Sequence, residues 1–322
     1  MSERIKIISL TANTKLAENI AKRLGGKVLA SNVHHFADGE TLFEGLESFR
    51  GDNVYIVQST CKPVNDTLME VLVCIDACKR ASAKSITCIM PYYGYARQDR
   101  KAKARQPITA KLVADLLTVA GANRLVCFDL HAAQIGGFFN IPVDNVRALP
   151  LFEKYFSKFK NRKDIVCVSP DHGGVNRTSM LANKLNCPIA IIDKRRPQPN
   201  QAEIVAIVGD IKGKDCIIVD DIVDTAGTLC AAAAKLKSLG AKKVYAAITH
   251  GVLSGEAIER IDKSAIDKLI ITNSITQPEG LKSKKMEILD LAPILSETIR
   301  SLEAGKSLAE TYTKFAKSLK SN

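Results

Sequence analysis

No apolar run in the sequence approaches the ~18 residues needed to cross a bilayer. The first ten residues carry charge on both sides of a short apolar stretch, whereas a signal peptide needs a longer apolar core. There is also no short-period repeat and no low-complexity tract. We therefore expect a cytoplasmic protein without a membrane segment, and we interpret Ile5–Leu10 as a first β-strand.

The nine cysteines include no C-x-x-C pair. Four of them lie inside apolar strands, where a reduced thiol behaves as a small hydrophobe: Cys88, Cys127, Cys167 and Cys216. Cys74 and Cys78 are four residues apart on a predicted helix, but no histidine or second cysteine pair completes a metal site. We therefore expect neither a disulfide framework nor structural zinc.

The composition is that of an ordinary globular protein, with 46% hydrophobic and 25% charged residues, and a chain of 322 residues is long enough for two domains. The formal charge of +12 comes from 46 Lys and Arg against 34 Asp and Glu. A basic surplus suits nucleic acid, a phosphate-rich small substrate or simply a solvated surface. Charge alone does not separate these interpretations.

Short apolar strands alternate with helical patterns along the whole chain, which predicts α/β units with parallel sheets. The predicted strands are Ile5–Leu10, Val54–Gln58, Ser85–Met90, Arg124–Asp129, Ile165–Ser169, Ile189–Ile192, Cys216–Val219, Lys243–Thr249 and Lys268–Thr272. The predicted helices are Asn65–Ala77, Thr109–Ala120, Thr228–Leu239, which stops at Gly240, and a tail from Ala292.

A break near Asn145–Pro150 divides the chain into halves of similar length. We expect an N-terminal domain over residues 1–147 and a C-terminal domain over residues 148–322. The tail helix could pack back on the N-terminal domain.

The segment Cys216–Thr228 is the strongest chemical signal. An apolar strand runs into Asp220 and Asp221, and a loop of Asp224, Thr225, Ala226, Gly227 and Thr228 then precedes an Ala-rich helix. Ligands of open α/β sheets sit beyond the carboxyl ends of the strands, and a helix amino end binds phosphate. The acids would repel phosphate but suit sugar hydroxyls or a metal ion, so the pattern indicates a phosphorylated sugar.

The segment Tyr92–Pro107 carries five cations and one acid without any apolar period, which predicts a loop. Interleaved aromatic and basic residues could stack on nucleic-acid bases. A mobile cationic loop could equally close over a triphosphate and neutralise charge in a phosphoryl transfer.

Together with these two segments, further motifs resemble, in their order along nearly the whole chain, the class I ribose-phosphate diphosphokinases, or PRPP synthetases. These motifs are Phe36–Glu40, Asp129–Ala132, Gly136–Asp144, Asp193–Arg196 and Thr249–Gly251. Phosphoribosyltransferases resemble the chain only at the segment Cys216–Thr228. The resemblance implies two tandem phosphoribosyltransferase-type domains, each a mainly parallel sheet flanked by helices.

The implied reaction moves the diphosphate of ATP to the 1-hydroxyl of ribose 5-phosphate, giving PRPP and AMP for nucleotide biosynthesis. ATP must be held without a Walker A loop, because Gly305–Ser307 resembles only the end of one and position 300 is Arg rather than Gly.

The resemblance also implies roles for individual residues. Lys194 and Arg196 would be catalytic, and Arg196 would also hold diphosphate or ribose phosphate. ATP would be bound by Phe36, Asp38, Gly39 and Glu40 from a neighbouring subunit and by Arg97, Gln98 and Asp99. His131 and Asp171 would anchor Mg²⁺, with Asp171 the more natural ligand. Ribose 5-phosphate would meet Arg196, Asp220, Asp221, Asp224, Thr225, Ala226, Gly227 and Thr228. Arg100, Lys101 and Arg105 would close over the site from the flexible loop.

Such enzymes are commonly hexamers regulated by ADP and phosphate, so we expect a homo-oligomer, a hexamer by resemblance, with phosphate as a candidate activator. The positions that match regulatory sites are Ser48, Arg50, Ser82, Arg105 and Ser307, while Ala309 stands where many members carry a hydroxyl. We assign only a structural role to His34, His35 and His172.

Three alternatives remain at this point. A phosphoribosyltransferase would not need Arg97–Arg105, Asp193–Arg196 or a second domain. A non-catalytic subunit associated with PRPP synthetases would commonly carry altered loops, whereas Lys194 and the Asp220–Thr228 loop are intact here. A nucleic-acid-binding regulator would be held by the basic surface, with steeply salt-dependent binding.

Overall fold

The structure is a computed structural model that describes residues 4–198, 201–281 and 283–319, without the side chains of residues 194–198 and 201–205. The chain divides into two compact units. The N-terminal unit comprises Met1–Arg147, Ser274–Thr276 and Asp290–Thr313, and the C-terminal unit comprises Ala148–Asn273, Gln277–Leu289 and Lys314–Asn322. Among the described helices, none is both long and apolar enough to cross a membrane. The nine cysteines are free thiols.

The N-terminal unit begins with alternating strands and helices. They are β1 (Ile5–Ser9), α1 (Thr14–Arg23), β2 (Ser31–His35), β3 (Thr41–Gly45), β4 (Asn53–Val57), α2 (Val64–Arg80), β5 (Ser85–Met90), α3 (Thr109–Ala120), β6 (Arg124–Phe128) and β7 (Val143–Val146), with a 3₁₀ turn at Ala133–Phe138. Five strands form a parallel sheet in the order β1-β4-β5-β6-β7, while β2 and β3 form an antiparallel hairpin.

Alternate residues of this five-stranded sheet pack in one apolar cluster with α2 and α3. Ile56 and Met90 from the strands meet Val71 and Ile75 of α2 and Leu117 of α3, and all five are almost fully buried. The Ile-, Val- and Cys-rich strands are buried because the helices cover the sheet, as parallel sheets require.

The C-terminal unit repeats this plan around a larger sheet. Its elements are α4 (Leu149–Tyr155), β8 (Ile165–Ser169), α5 (Val175–Leu185), β9 (Ile189–Gln198), β10 (Gln201–Val208), β11 (Asp215–Val223), α6 (Gly227–Ser238), β12 (Lys243–Gly251), α7 (Ala257–Lys263), β13 (Lys268–Thr272) and β14 (Met286–Leu289), with a 3₁₀ turn at Ser157–Phe159. The strand order is β10-β9-β8-β11-β12-β13-β14, and only the β10–β9 pair is antiparallel.

The tail forms α8 (Ala292–Glu303) and α9 (Leu308–Ser318). Within the N-terminal unit, α8 packs on α1. Its last residue, Glu303, accepts hydrogen bonds from Nδ2 of Asn53 at 3.0 Å and from the hydroxyl of Tyr55 at 2.7 Å. Burial and this carboxylate together raise the pKa of Tyr55, so the phenol stays a donor. Both partners lie on β4, so Glu303 fastens the tail helix to the sheet.

The predicted fold class, two α/β units with mainly parallel sheets, is confirmed. Three strands are longer than predicted: β9, β11 and β12 continue beyond Ile192, Val219 and Thr249. Helix α2 starts one residue before the predicted Asn cap, at Val64, and runs on to Arg80. Five strands were not predicted: β2, β3, β7, β10 and β14.

We expect Glu303→Ala to lower the free energy of unfolding by about 1–3 kcal/mol, since it leaves the buried hydroxyl of Tyr55 and the half-buried amide of Asn53 without their charged acceptor. Urea unfolding of the purified protein measures this. Glu297→Ala on the same helix is the matched control, because the ion pair of Glu297 with Arg300 is exposed and should be worth less than about 0.5 kcal/mol. Equal losses in both variants would contradict the role of Glu303.

Candidate active site

The segment with two adjacent acids lies at the carboxyl edge of the C-terminal unit's sheet. β11 stands between β8 and β12 and pairs with both in parallel. The connection 224–226 then leads into α6, and Ala226 adopts a left-handed conformation with φ of 60°. The amino end of α6 therefore lies just beyond the end of β11, where open α/β sheets bind their ligands.

Asp220 and Asp221 lie inside β11, not after it as the sequence suggested, because the ladder with β12 continues to Val223. One guanidinium nitrogen, Nη1 of Arg177 on α5, lies 3.2 Å from Oδ1 of Asp220 and 3.1 Å from Oδ1 of Asp221. Asp221 is buried, while the side chain of Asp220 is 30% exposed. A single arginine thus holds the two carboxylates together.

The two carboxylates do not ionise independently. Burial and the neighbouring Asp221 raise the pKa of Asp220 to about 8, against the opposing effect of Arg177. The N–H of Asp221 also donates to Oδ1 of Asp220 at 2.9 Å, which favours the ionised form. The pair therefore carries less than two full negative charges near neutral pH, as coupled carboxylates do.

Asp171 lies in a turn beyond β8 that its own carboxylate helps to close. The N–H of Gly174 donates to Oδ1 of Asp171 at 3.0 Å, and the hydroxyl of Ser169 donates to the Asp171 carbonyl at 2.6 Å. Among the described residues, no group of three or more His, Cys, Asp or Glu side chains is arranged to hold a metal ion. A cation at Asp171 would therefore complete its coordination with water and substrate oxygens.

Lys194 and Arg196 fall inside β9, although the predicted strand ended at Ile192. The strand continues because β10 pairs with it in antiparallel fashion and satisfies its backbone groups. The side chains of Lys194 and Arg196 lie outside the described residues. Just before them, Oδ1 of Asp193 lies 3.3 Å from Nε2 of His172.

Phe36, Asp38, Gly39 and Glu40 form the exposed tip of the β2–β3 hairpin. Three hydrogen bonds close this tip: the Phe36 N–H to the Glu40 carbonyl at 2.8 Å, the Gly39 N–H to the Phe36 carbonyl at 2.9 Å, and the Glu40 N–H to Oδ1 of Asp38 at 3.0 Å. The Phe36 side chain is 52% exposed. The tip is thus a structured turn that exposes an aromatic ring and two carboxylates to solvent.

Between β5 and α3 the described chain contains no helix or strand, as predicted for this loop. Its aromatic start is fixed: Tyr92 and Tyr93 are buried, and a Cβ on Gly94 would lie 2.3 Å from the carbonyl oxygen of Thr60. The five cations that follow are all exposed: Arg97, Arg100, Lys101, Lys103 and Arg105. The loop is therefore anchored at one end and presents its charge to solvent.

Gln98 and Asp99 tie this loop to its surroundings. The Thr109 hydroxyl donates to Oε1 of Gln98 at 2.6 Å, and the Ala110 N–H donates to the Gln98 carbonyl at 3.2 Å, so Gln98 fixes the start of α3. Asp99 accepts a hydrogen bond from Nε2 of Gln134 at 2.7 Å. His131 is exposed beyond β6 in the same unit.

Three of the residues matched to regulatory sites come together in the N-terminal unit. Nη1 of Arg50 donates to Oγ of Ser82 at 3.1 Å, and the Arg50 N–H lies 3.4 Å from Oγ of Ser48. Ser307 instead lies just before α9, where its hydroxyl accepts from the Glu310 N–H at 3.4 Å.

Two arginines that sequence reasoning missed contact the Asp220–Thr228 segment. Arg177 holds the acids, and Nη1 of Arg260 on α7 donates to the carbonyl of Thr225. Arg177 carried a signal, because it lies in the first turn of α5, where the helix dipole disfavours a cation unless a partner is present. Arg260 carried none, since only the fold brings α7 beside the loop.

Comparison with known proteins identifies the family of the chain. Residues 5–121 match the family model for the N-terminal domain of ribose phosphate pyrophosphokinase, and residues 174–313 match that of the phosphoribosyl synthetase-associated domain. The ribose-phosphate pyrophosphokinase of Listeria ivanovii is 54% identical over 309 residues, which is 96% of this chain and 97% of that protein. That of Bacillus caldolyticus is also 54% identical over 309 residues, covering 96% of this chain and 98% of that protein.

A solved structure is similar over almost the same span. The crystal structure of phosphoribosylpyrophosphate synthetase from Mycobacterium smegmatis superposes with a TM-score of 0.88 at 41% identity, covering 94% of this chain and 100% of that one. The chain therefore belongs to the ribose-phosphate pyrophosphokinases, the PRPP synthetases, which transfer the diphosphate of ATP to ribose 5-phosphate.

Proposed function

We propose that the two units divide the substrates, with ATP bound by the N-terminal domain, residues 1–147, and ribose 5-phosphate by the C-terminal domain, residues 148–322. The observation that carries this proposal is the Asp220–Asp221 pair, held by Arg177 beside the amino end of α6. Carboxylates repel phosphate and accept sugar hydroxyls, whereas a helix amino end attracts phosphate. A phosphorylated sugar satisfies both groups at once.

In this assignment the 5-phosphate lies against residues 224–228. Ala226 is left-handed, a conformation found in anion-binding turns, and the hydroxyls of Thr225 and Thr228 add donors. Asp220 and Asp221 accept the hydroxyls of the ribose ring. The sugar is thereby oriented with its reacting hydroxyl away from the phosphate loop.

ATP is assigned to two parts of the N-terminal unit. The exposed tip at Phe36–Glu40 supplies a ring for the adenine face and acceptors for its amino group, and by resemblance it serves a neighbouring subunit. Arg97 reaches the phosphates with charge-assisted hydrogen bonds, beside Gln98 and Asp99. His131 is assigned to the bound ATP as well.

The transfer forms a bond between the ribose 1-oxygen and the β-phosphorus of ATP and breaks the bond that links the α- and β-phosphates, so that AMP leaves. Negative charge moves toward AMP during this step, and cations stabilise it. Lys194 and Arg196 are assigned this role from the resemblance. Arg100, Lys101 and Arg105 add positive charge from the exposed loop.

The donor set fits Mg²⁺. Asp171 offers a hard carboxylate oxygen in a turn that its other contacts hold in place, and Mg²⁺ commonly takes one or two carboxylates together with phosphate oxygens and water. His131 is a less usual ligand for this cation and would act through ATP or bound water. When bound, Mg²⁺ neutralises charge on the transferred diphosphate.

We also propose that the enzyme acts as a homo-oligomer, a hexamer by resemblance, with phosphate as an activator. Support comes from the cluster of Ser48, Arg50 and Ser82, whose hydroxyls and guanidinium suit an oxyanion. Arg105 and Ser307 are assigned to the same regulatory function.

The decisive experiment is a mass-spectrometric assay with ATP, ribose 5-phosphate and Mg²⁺, with and without phosphate. We expect PRPP and AMP in equal amounts. In Lys194→Ala, kcat should fall about 10²–10³-fold, as when a donor to developing charge is removed. Lys184→Ala, an exposed cation on α5 in the same unit, is the matched control and should keep wild-type turnover. Unchanged kcat in Lys194→Ala would refute the assignment of Lys194.

The ligand-free protein should lose stability as the pH rises toward 8. The raised pKa of Asp220 means that the folded state keeps a proton which the unfolded chain releases near pH 4, so unfolding becomes easier between these values. The slope from this residue is at most about 1.4 kcal/mol per pH unit. Urea unfolding at pH 6 and pH 8 measures it. Asp220→Asn should flatten the dependence, while Asp66→Asn, on an exposed turn of α2, should not. A slope unchanged in Asp220→Asn would contradict the prediction.

A further inference from the structure

A buried carboxylate in the N-terminal unit lies outside the proposed substrate contacts. Glu70 of α2 is 2% exposed. It accepts hydrogen bonds from Nε2 of Gln58 at 2.6 Å, from the hydroxyl of Thr11 at 2.8 Å and from the Thr11 N–H at 3.2 Å. These contacts join α2 to the end of β4 and to the β1–α1 connection. Glu70 is thus held by several donors at once, and one of them, Gln58, is fully buried.

One further partner of Glu70 comes from the hairpin. Nε2 of His35, the last residue of β2, lies 3.2 Å from Oε1 of Glu70. Nδ1 of the same ring lies 3.2 Å from the hydroxyl of Thr41 on β3. A carboxylate only accepts, so Nε2 is the donor to Glu70, and Nδ1 shares a second hydrogen bond with the Thr41 hydroxyl. His35 therefore links both hairpin strands to a buried anchor on α2.

This link stands at the point where the hairpin becomes the tip. His35 and Thr41 are the last residues paired in the hairpin, and residues 36–40 follow directly. The next anchor back along the hairpin is apolar, where Val33 pairs with Phe43 and Phe43 is buried in the core. Without His35 the tip, which is closed by its own hydrogen bonds, would be free to pivot about this apolar anchor.

We infer that the His35–Glu70 hydrogen bond is a positioning device that aims the Phe36–Glu40 tip at ATP. This inference rests on the proposed role of that tip in binding ATP. His35 acts through its neighbours and touches no reacting atom, so it is a positioning residue. The sequence had assigned it a structural role only.

The exposure of the His35 side chain indicates that His35 orients the tip and contributes little to the stability of the whole domain. The His35 side chain is 44% exposed, so it buries little surface, and Glu70 keeps Thr11 and Gln58 as donors when His35 is changed. Losing the bond should therefore cost little in the stability of the whole domain. The effect should concentrate in the orientation of five residues at the tip.

Two amide substitutions separate the contacts of the imidazole ring. In His35→Gln the amide nitrogen reaches the place of Nε2 and can still donate to Glu70, whereas in His35→Asn the shorter amide reaches only the place of Nδ1. We expect His35→Asn to raise the KM for ATP about tenfold, and His35→Gln to stay within about twofold of wild type. In both variants kcat, the KM for ribose 5-phosphate and the thermal midpoint should stay close to wild type.

Two further variants make the result decisive. His34→Asn changes the exposed neighbouring histidine on β2 and should leave the KM for ATP unchanged. Equal effects of His35→Asn and His35→Gln, or a rise in both KM values with a lower thermal midpoint, would overturn the inference.

Phe36→Ala distinguishes this failure from failure of the proposed function. If Phe36→Ala raises the KM for ATP and His35→Asn does not, only the positioning inference fails. If Phe36→Ala leaves the KM for ATP unchanged, the tip does not bind ATP, and both assignments fail together.

Discussion

Parallel pairing of β11 with both of its neighbours is the constraint on which the proposed sugar-phosphate site depends. Because Val168 of β8 pairs with Ile218 of β11, the turn that carries Asp171 leaves the sheet at the edge where Asp221 lies. The ladder between β11 and β12 runs on past the acids, which keeps them rigid. Since all parallel strands of a sheet end at one edge, residues distant in sequence meet there without any specific contact to arrange them.

Burial explains which elements could be predicted from the sequence. Ser85–Met90 and Ile165–Ser169 match their predicted bounds because both strands are covered on two faces and read as continuous apolar runs. The hairpin strands β2 and β3 are partly exposed and rich in polar residues, so they carried no such signal. β10 forms its backbone hydrogen bonds with β9. Pairing between neighbouring strands cannot be predicted from the local pattern of apolar residues.

The same reasoning applies to the site. The Asp220–Thr228 segment could be found because its parts are contiguous, and contiguous chemistry leaves a readable pattern. The partners of Arg177 and Arg260 could not be identified from the sequence, since they are 43 and 35 residues away and only the packing of α5 and α7 on the sheet brings them together. The contacts of these two arginines depend on tertiary structure, whereas the loop that they contact can be recognised from the sequence.

Two carboxylates in this chain, Asp220 and Glu70, illustrate two different uses of the same group. Asp220 shares an arginine with a second carboxylate, so its charge responds to pH and to whatever donors a ligand brings. Glu70 accepts from the buried amide of Gln58 and from the hydroxyl and backbone N–H of Thr11, so the protein itself supplies its donors. The first arrangement suits a residue that must exchange partners when substrate binds. The second suits a residue that must hold other parts still, and the hairpin inherits its orientation from that fixed point through His35.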